Sequence, residues 1–269
     1  NIKVNLINGR ITRKSFKRWK SISRFSNNIF SKLNLCLASS FESKKYLQDL
    51  GVKKVKFIGN LKFSQSEKEI IKIDNKLRKF ISKKKVWCAS STHNTEELFC
   101  GFVHKELKKK YKNLLTLIIP RHVERASKIK NELENLNLKT HTYTSNRKID
   151  EDTEVYIVNT YGKTKTFYNY CKNVFLGGSI INHGGQNPLE AARFGCNVLH
   201  GPNISNFKEI YSFLKRKKIS QKIINQRQMT NVLETLFKKK FNSKKIQKKL
   251  NIVGKKILDS TYKEIKLII

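Results

Sequence analysis

Proline and glycine are scarce in this chain, 3 and 12 of 269 residues. Acidic side chains are scarce as well, 20 Asp and Glu against 57 Lys and Arg, for a formal net charge of +37. No apolar run approaches the length that spans a bilayer, and the first residues do not read as a signal peptide. The five cysteines, Cys36, Cys88, Cys100, Cys171 and Cys196, are an odd number without a CxxC pair, which argues against a zinc site or a disulfide framework. Buried, reduced thiols are the expectation. Six histidines lie far apart, with no HExxH or other close ligand spacing, so neither a metal nor a cofactor is expected. No internal repeat or low-complexity tract is evident.

The positive charge admits nucleic acid, an anionic membrane surface and acidic small molecules as partners. Only 11 of the 57 basic residues are Arg, and Lys is spread diffusely among Asn and Ile. Arg dominates planar recognition of phosphate and base edges, and no aromatic–basic binding motif is present, so nucleic acid is not the expected partner. A non-enzymic basic nucleic-acid-binding protein remains the alternative from another class.

A length of 269 residues suggests two units, and 38% hydrophobic residues suffice for a core. Strand patterns at residues 3–7, 35–38, 55–58, 86–89, 114–119, 139–143, 154–158, 173–176 and 197–200 alternate with helical ones, and two helices close the chain. This rhythm predicts an α/β fold with parallel sheets covered on both faces. The expected divisions are 1–64, a polar Lys-rich linker at 65–79, a second domain at 80–242 and a docking helix at 243–269. That helix carries a stripe of Ile246, Leu250, Val253 and Ile257. The opening residues read as an interior strand, which predicts a chain beginning inside a domain.

Six of the 12 glycines and two of the three prolines fall between Gly177 and Pro202. Such clustering marks backbone that bends sharply and approaches something closely. The pattern is a strand end, two glycine-bearing turns around Gly178, Ser179, Gly184 and Gly185, then a helix with Pro188 in its first turn and Gly195 at its stop. A helix N-terminus is a natural seat for phosphate; tight packing at a strand–helix corner is the bland alternative. In parallel sheets ligands bind beyond the carboxyl ends of the strands. Ser91, Thr92 and His93 follow one strand and Arg121 and His122 the next. Tyr161, Gly162 and Lys163 follow a later one.

Individual residues carry two readings each. The His93 turn serves either as a helix cap, with Thr92 or Asn94 bonding N–H groups and Glu96 or Glu97 favouring the positive end, or as a phosphate-facing turn. Arg121 suits bidentate binding of a carboxylate or phosphate. Glu190 suits sugar hydroxyls, or only the helix dipole. The stripe Phe16, Trp19, Ile22, Phe25 and Ile29, beside Lys14, Lys17, Arg18, Lys20 and Arg24, is expected to pack in the core, with an anionic bilayer as the alternative. The run Lys215 to Lys218 reads as a solvated helix end.

Several segments, in order along the chain, resemble the bacterial 3-deoxy-D-manno-octulosonic acid (Kdo) transferases. They are Asn8-Gly9-Arg10, Gly59-Asn60-Leu61-Lys62-Phe63, Ser90-Ser91-Thr92-His93, Pro120-Arg121-His122, Gly177-Gly178-Ser179 and His183-Gly184-Gly185-Gln186-Asn187-Pro188-Leu189-Glu190. Gly201-Pro202 and Asn206-Phe207 fit as well. The resemblance implies a GT-B glycosyltransferase, with a Rossmann-like doubly wound donor domain and a remnant of a second, N-terminal Rossmann-like domain. It implies transfer of Kdo from CMP-Kdo to a lipid A precursor (lipid IVA) in lipopolysaccharide synthesis, at the cytoplasmic face of the inner membrane. By likeness, Pro120, Arg121, Tyr161, Gly162, Lys163, Asn187, Pro188, Leu189 and Glu190 hold CMP, and Lys62 stabilises charge in the transition state. The general base is expected outside this chain, in a longer N-terminal half. Tyr161-Gly162-Lys163 departs from the usual Met-Gly-Glu, which weakens a hydroxyl-binding role there. Another GT-B nucleotide-sugar transferase or an epimerase is the alternative within the architecture.

Overall fold

The computed structural model describes residues 3–65, 73–144, 148–239 and 242–268. The chain divides into two compact units: Asn1–Ser66 with Lys248–Ile269, and Glu67–Gln247. Residues 66–72 of the predicted linker lie outside the described residues.

In the first unit, β1 (Val4–Gly9), α1 (Arg13–Ser21), α2 (Ser23–Phe30), β2 (Leu33–Ala38), α3 (Phe41–Asp49) and β3 (Val55–Phe57) follow one another. The strands form a parallel sheet in the order β1-β2-β3. Leu35, Cys36, Leu37, Ala38, Leu47 and Val52 are buried around β2 and α3. The expected apolar stripe does not form one packed face. Ile22 has φ −114° and ψ 50°, which breaks the helix there and rotates the later residues out of phase. Phe16 stacks on Tyr46 and Trp19 packs edge-on against Phe30, whereas Ile22, Phe25 and Ile29 are exposed, Phe25 by 59%.

The second unit contains α4 (Asn75–Ser82), β4 (Lys85–Thr92), α5 (Glu96–Lys110), β5 (Leu114–Pro120), α6 (Ala126–Glu134), β6 (Thr140–Thr142), β7 (Val155–Ile157), α7 (Thr164–Tyr168), β8 (Asn173–Leu176), α8 (Leu189–Arg193), β9 (Asn197–His200), α9 (Lys208–Arg216), β10 (Ser220–Lys222) and α10 (Gln226–Lys238). The long helix α11 (Ser243–Lys266) follows. Thus three helices and a strand come after β9, where two helices were expected. β10 escapes a hydrophobic pattern because Ser-Gln-Lys is polar and lies at the sheet edge.

The second sheet is parallel throughout, in the order β10-β9-β8-β4-β5-β7-β6. From β4 the chain winds outward through β5 to β6 and β7, then returns to the other side through β8, β9 and β10. The order therefore reverses between β4 and β8, and the crevice at such a switch point is where doubly wound sheets bind ligands. One face of the sheet packs on Cys100, Val103 and Leu107 of α5, Ile129 and Leu133 of α6, and Met229 and Leu233 of α10. Each fully buried side chain of this kind contributes about 1.5–3 kcal/mol, and together they hold the strand ends in place.

Candidate functional site

The end of β4 and the turn after it are held in a conformation that side chains disfavour. Ser91 has φ 54° and Thr95 φ 76°, both in the left-handed region. Such backbone persists only where surrounding contacts over-determine it. Here the contacts come from the first turn of α5. Glu96 is fully buried (0% exposed), and its carboxylate accepts four backbone N–H groups. Oε2 takes those of His93 at 3.0 Å and Gly178 at 2.7 Å. Oε1 takes those of Ser179 at 3.1 Å and Ile180 at 3.0 Å. Four charge-assisted bonds offset the desolvation of the buried carboxylate.

The turn at Gly178 and Ser179 is thus filled from within, by the chain's own carboxylate. Gly177 explains the need for glycine: a Cβ there would lie 2.4 Å from Ser91 O and 2.6 Å from Thr92 Cα. Neither Thr92 nor Asn94 acts as the helix cap. Glu96 instead reaches back three residues to the His93 N–H, as in a capping box, and Asn94 Oδ1 accepts from Arg125 at 3.3 Å.

Glu97, one residue on and 100° around the helix, does the same for the β5 loop. It is also fully buried and takes two bonds from Arg125, Nη1–Oε1 at 2.9 Å and Nη2–Oε2 at 3.1 Å. Arg121 N–H donates to Thr92 O at 3.0 Å. Two adjacent glutamates thereby tie the β4 turn to the β8 loop on one side and to the β5 loop on the other.

Over this frame lies a cluster of imidazoles. The His93 ring is 4.2 Å from that of His183 and 5.9 Å from that of His122, and its Nε2 lies 3.2 Å from the Gln186 side-chain amide. A Cβ on Gly178 (φ 64°) would sit 3.3 Å from Gln186, His183 and His93 alike, so these three ring a shallow floor. The Thr92 hydroxyl beside it is buried without a hydrogen-bond partner. Arg121 and His122 are exposed at the rim.

Burial, then the charges of His183, His122, Arg121 and Arg125, lowers the His93 pKa to about 4. Burial also lowers that of His104, whose Nδ1 lies 2.7 Å from Thr116 Oγ1, to about 3. Both are depressed relative to the unfolded value near 6.5. The unfolded state therefore binds more protons, so stability is full above pH 6.5 and falls as pH drops through the window toward 4 and then 3. Denaturant titrations at pH 7 and pH 4.5 should show this loss, and a smaller one in His93→Asn. Equal losses in both proteins would remove His93 as a cause.

The remaining predicted residues are placed as follows. Tyr161 is 64% exposed and donates to Glu124 Oε2 at 3.2 Å, which joins the β7 loop to the β5 loop. Gly162 has φ 77° with open space around it, and Lys163 Nζ is 5.9 Å from the Tyr143 ring centroid. The helix opened by Pro188 is short, five residues. Its first N–H, of Leu189, is taken by Asn187 Oδ1 at 3.1 Å. Leu189 is 1% exposed and its side chain belongs to the core, while Glu190 is half-buried. Gly184 and Gly185 serve loop packing: Gly185 N–H donates to Gly178 O, and Gly184 O accepts from Asn206.

Lys62 lies in the first unit, exposed on the turn Leu61–Ser64. Asn60 Oδ1 accepts the Lys62 N–H at 2.9 Å and Asn8 Oδ1 the Leu61 N–H at 3.1 Å, so two of the sequence segments singled out meet there. Sequence reasoning missed Arg125 and treated Glu96 and Glu97 only as dipole partners. The Glu96 spacing from His93 was the available signal. Among the described residues no group of three or more His, Cys, Asp or Glu could hold a metal ion.

Residues 1–65 match the family model described as 3-deoxy-D-manno-octulosonic-acid transferase (kdotransferase). The chain is 29% identical over 262 residues to the 3-deoxy-D-manno-octulosonic acid transferase of Haemophilus influenzae, covering 96% of this chain and 61% of that protein. It is 30% identical over 241 residues to the enzyme of that name from Rickettsia prowazekii, covering 87% of this chain and 51% of that one. The chain is a homologue of the Kdo transferases. It spans between half and two thirds of the length of these two relatives. Among solved structures, the C-terminal CMP-Kdo binding domain of WaaA from Acinetobacter baumannii matches with a TM-score of 0.58 at 23% identity, over 68% of this chain and 93% of that one. Anabaena Alr3699/HepE in complex with UDP matches with a TM-score of 0.53 at 11% identity, over 98% of this chain and 72% of that one. At these identities the likeness concerns the fold, which is α/β of the GT-B type.

Proposed function

We propose that the second unit binds CMP-Kdo and that the chain takes part in transferring Kdo to a hydroxyl of a lipid A precursor (lipid IVA). The observation that carries this is Arg121, an exposed guanidinium at the switch-point crevice, in a chain homologous to Kdo transferases over nearly its whole length. In the reaction, the bond between the Kdo anomeric carbon and the CMP phosphate oxygen breaks and CMP leaves as a phosphate monoester. The acceptor oxygen bonds to that carbon and gives its proton to a base.

Arg121 is suited to grip the departing phosphate with two parallel N–H donors. Glu190, half-buried, is suited to sugar hydroxyls, with Asn187, Pro188 and Leu189 shaping its approach and Pro120 directing Arg121. Tyr161, Gly162 and Lys163 form an exposed loop where Lys163 suits an anion better than a hydroxyl. The floor of Gly178, His93, Gln186 and the unpartnered Thr92 hydroxyl lies in the same crevice, with Ser91 and Ser179 in its frame. The exposed Ile22, Phe25 and Ile29 beside Arg18 and Arg24 favour peripheral contact with an anionic membrane surface at the cytoplasmic face. No described helix is long and apolar enough to cross a membrane.

Millimolar CMP should raise the melting temperature by a few degrees, about 2–4 °C for each kcal/mol of binding linkage in a domain of this size. Arg121→Ala should lose that rise while melting normally without ligand, because the side chain is exposed. A folded wild-type sample unmoved by CMP would overturn the reading.

A further inference from the structure

A second concave site lies away from this crevice, at the β9–β10 edge of the same sheet. It is a cleft of about 450 Å³, within the ~300–1,000 Å³ range of small-ligand pockets. The helix α9 supplies one wall through Lys208, Tyr211, Ser212 and Lys215. Their spacing of i, i+3, i+4 and i+7 puts all four on one helix face. The cleft is also lined by Lys222 of β10, which stands in register opposite His200 of β9. The loop after β9 and Asn182 close the other side.

The floor is rigid. Tyr211 is buried, its hydroxyl donates to Gln186 O at 2.9 Å, and its ring lies 4.4 Å from that of His200. His200 Nδ1 is 2.7 Å from Gly201 O and so carries the proton, which leaves Nε2 as an acceptor.

Lysine is so common in this chain that three lysines alone would read as a solvated face. The concave shape and the lining of the cleft separate it from that reading. No carboxylate lines it, and among the described residues Lys208, Lys215 and Lys222 have no ion pair. The three lysines line a hollow that also holds neutral hydrogen-bonding groups, those of Asn182, Ser205 and Ser212. Ammonium groups serve a phosphate, and amide and hydroxyl groups serve sugar hydroxyls.

We infer that this cleft is a binding site for a phosphorylated sugar, free or as the headgroup of a lipid, separate from the crevice at Arg121. The site does not depend on the donor reading.

The test is calorimetric binding of glucose 1-phosphate, with glucose as control, to the whole chain. It is joined by sedimentation with phosphatidylcholine vesicles, plain or doped with phosphatidylinositol 4-phosphate. Wild type should bind glucose 1-phosphate or the doped vesicles, but neither glucose nor plain vesicles. Binding to the soluble probe alone identifies a free ligand, and binding to the doped vesicles identifies a headgroup. The triple variant Lys208→Gln, Lys215→Gln, Lys222→Gln should weaken binding by at least about tenfold, given the salt-sensitive charge attraction of several exposed cations. Far-ultraviolet circular dichroism checks its fold, and Lys215→Glu alone gives the same reading should the triple variant not fold. Arg121→Ala should bind as wild type does. The proposal fails if neither phosphate probe binds, if the lysine variants bind unchanged, or if Arg121→Ala abolishes binding.

Discussion

Glu96→Ala should destabilise the second unit by on the order of 3–5 kcal/mol. The substitution leaves the N–H groups of His93, Gly178, Ser179 and Ile180 without an acceptor in a buried place, and each such orphan costs about 1–3 kcal/mol before water enters the void. The left-handed Ser91 and Thr95 also lose the contact that holds them. Glu96→Gln should cost less, roughly 2 kcal/mol, since one oxygen remains while the amide NH₂ meets donors. Urea titration followed by circular dichroism measures both. An alanine variant within about 0.5 kcal/mol of wild type would show that the four bonds are not what holds the two loops together.

Arg125→Met should be comparably harmful, at about 3–5 kcal/mol, because it strands a fully buried carboxylate without its cation. The charge left behind makes the difference, so Glu97→Gln in the same chain should recover at least half of the loss. The double-mutant cycle isolates the pair. Additive losses would mean that Arg125 acts by packing alone. In either variant CMP binding should fall together with stability, since Arg125 ties the β5 loop that carries Arg121 to the start of α5.

Most of the architecture was legible because the inner strands β2, β5, β7, β8 and β9 are short, largely apolar and bounded by turn residues. Residues 173–176 and 197–200 were bounded correctly from sequence, since both run from Asn into apolar residues and end at a loop. The break at Ile22 was not legible, because α1 and α2 together keep an apolar period that a single helix would also show. For the candidate site, Gly177 correctly signalled a close approach. What approaches is Glu96, which lies more than eighty residues away in the chain. Periodicity and local motifs carry no record of such a pairing; only the reversal of strand order between β4 and β8 creates it. Lys215 of the α9 wall was read as part of a solvated basic helix end and Lys208 was not singled out; the concavity depends on Lys222 arriving from a strand too polar to be seen.

Burial of every thiol has a practical corollary. All five cysteines are enclosed, and burial raises the pKa of Cys36 to about 11 and those of Cys100, Cys171 and Cys196 well above that of an ordinary thiol. Maleimides and mild oxidants find no ready native target, so Lys163→Cys introduces a single labelling point on the loop after β7. A fluorophore or spin label there would report from beside the crevice with the natural sulfur complement left untouched.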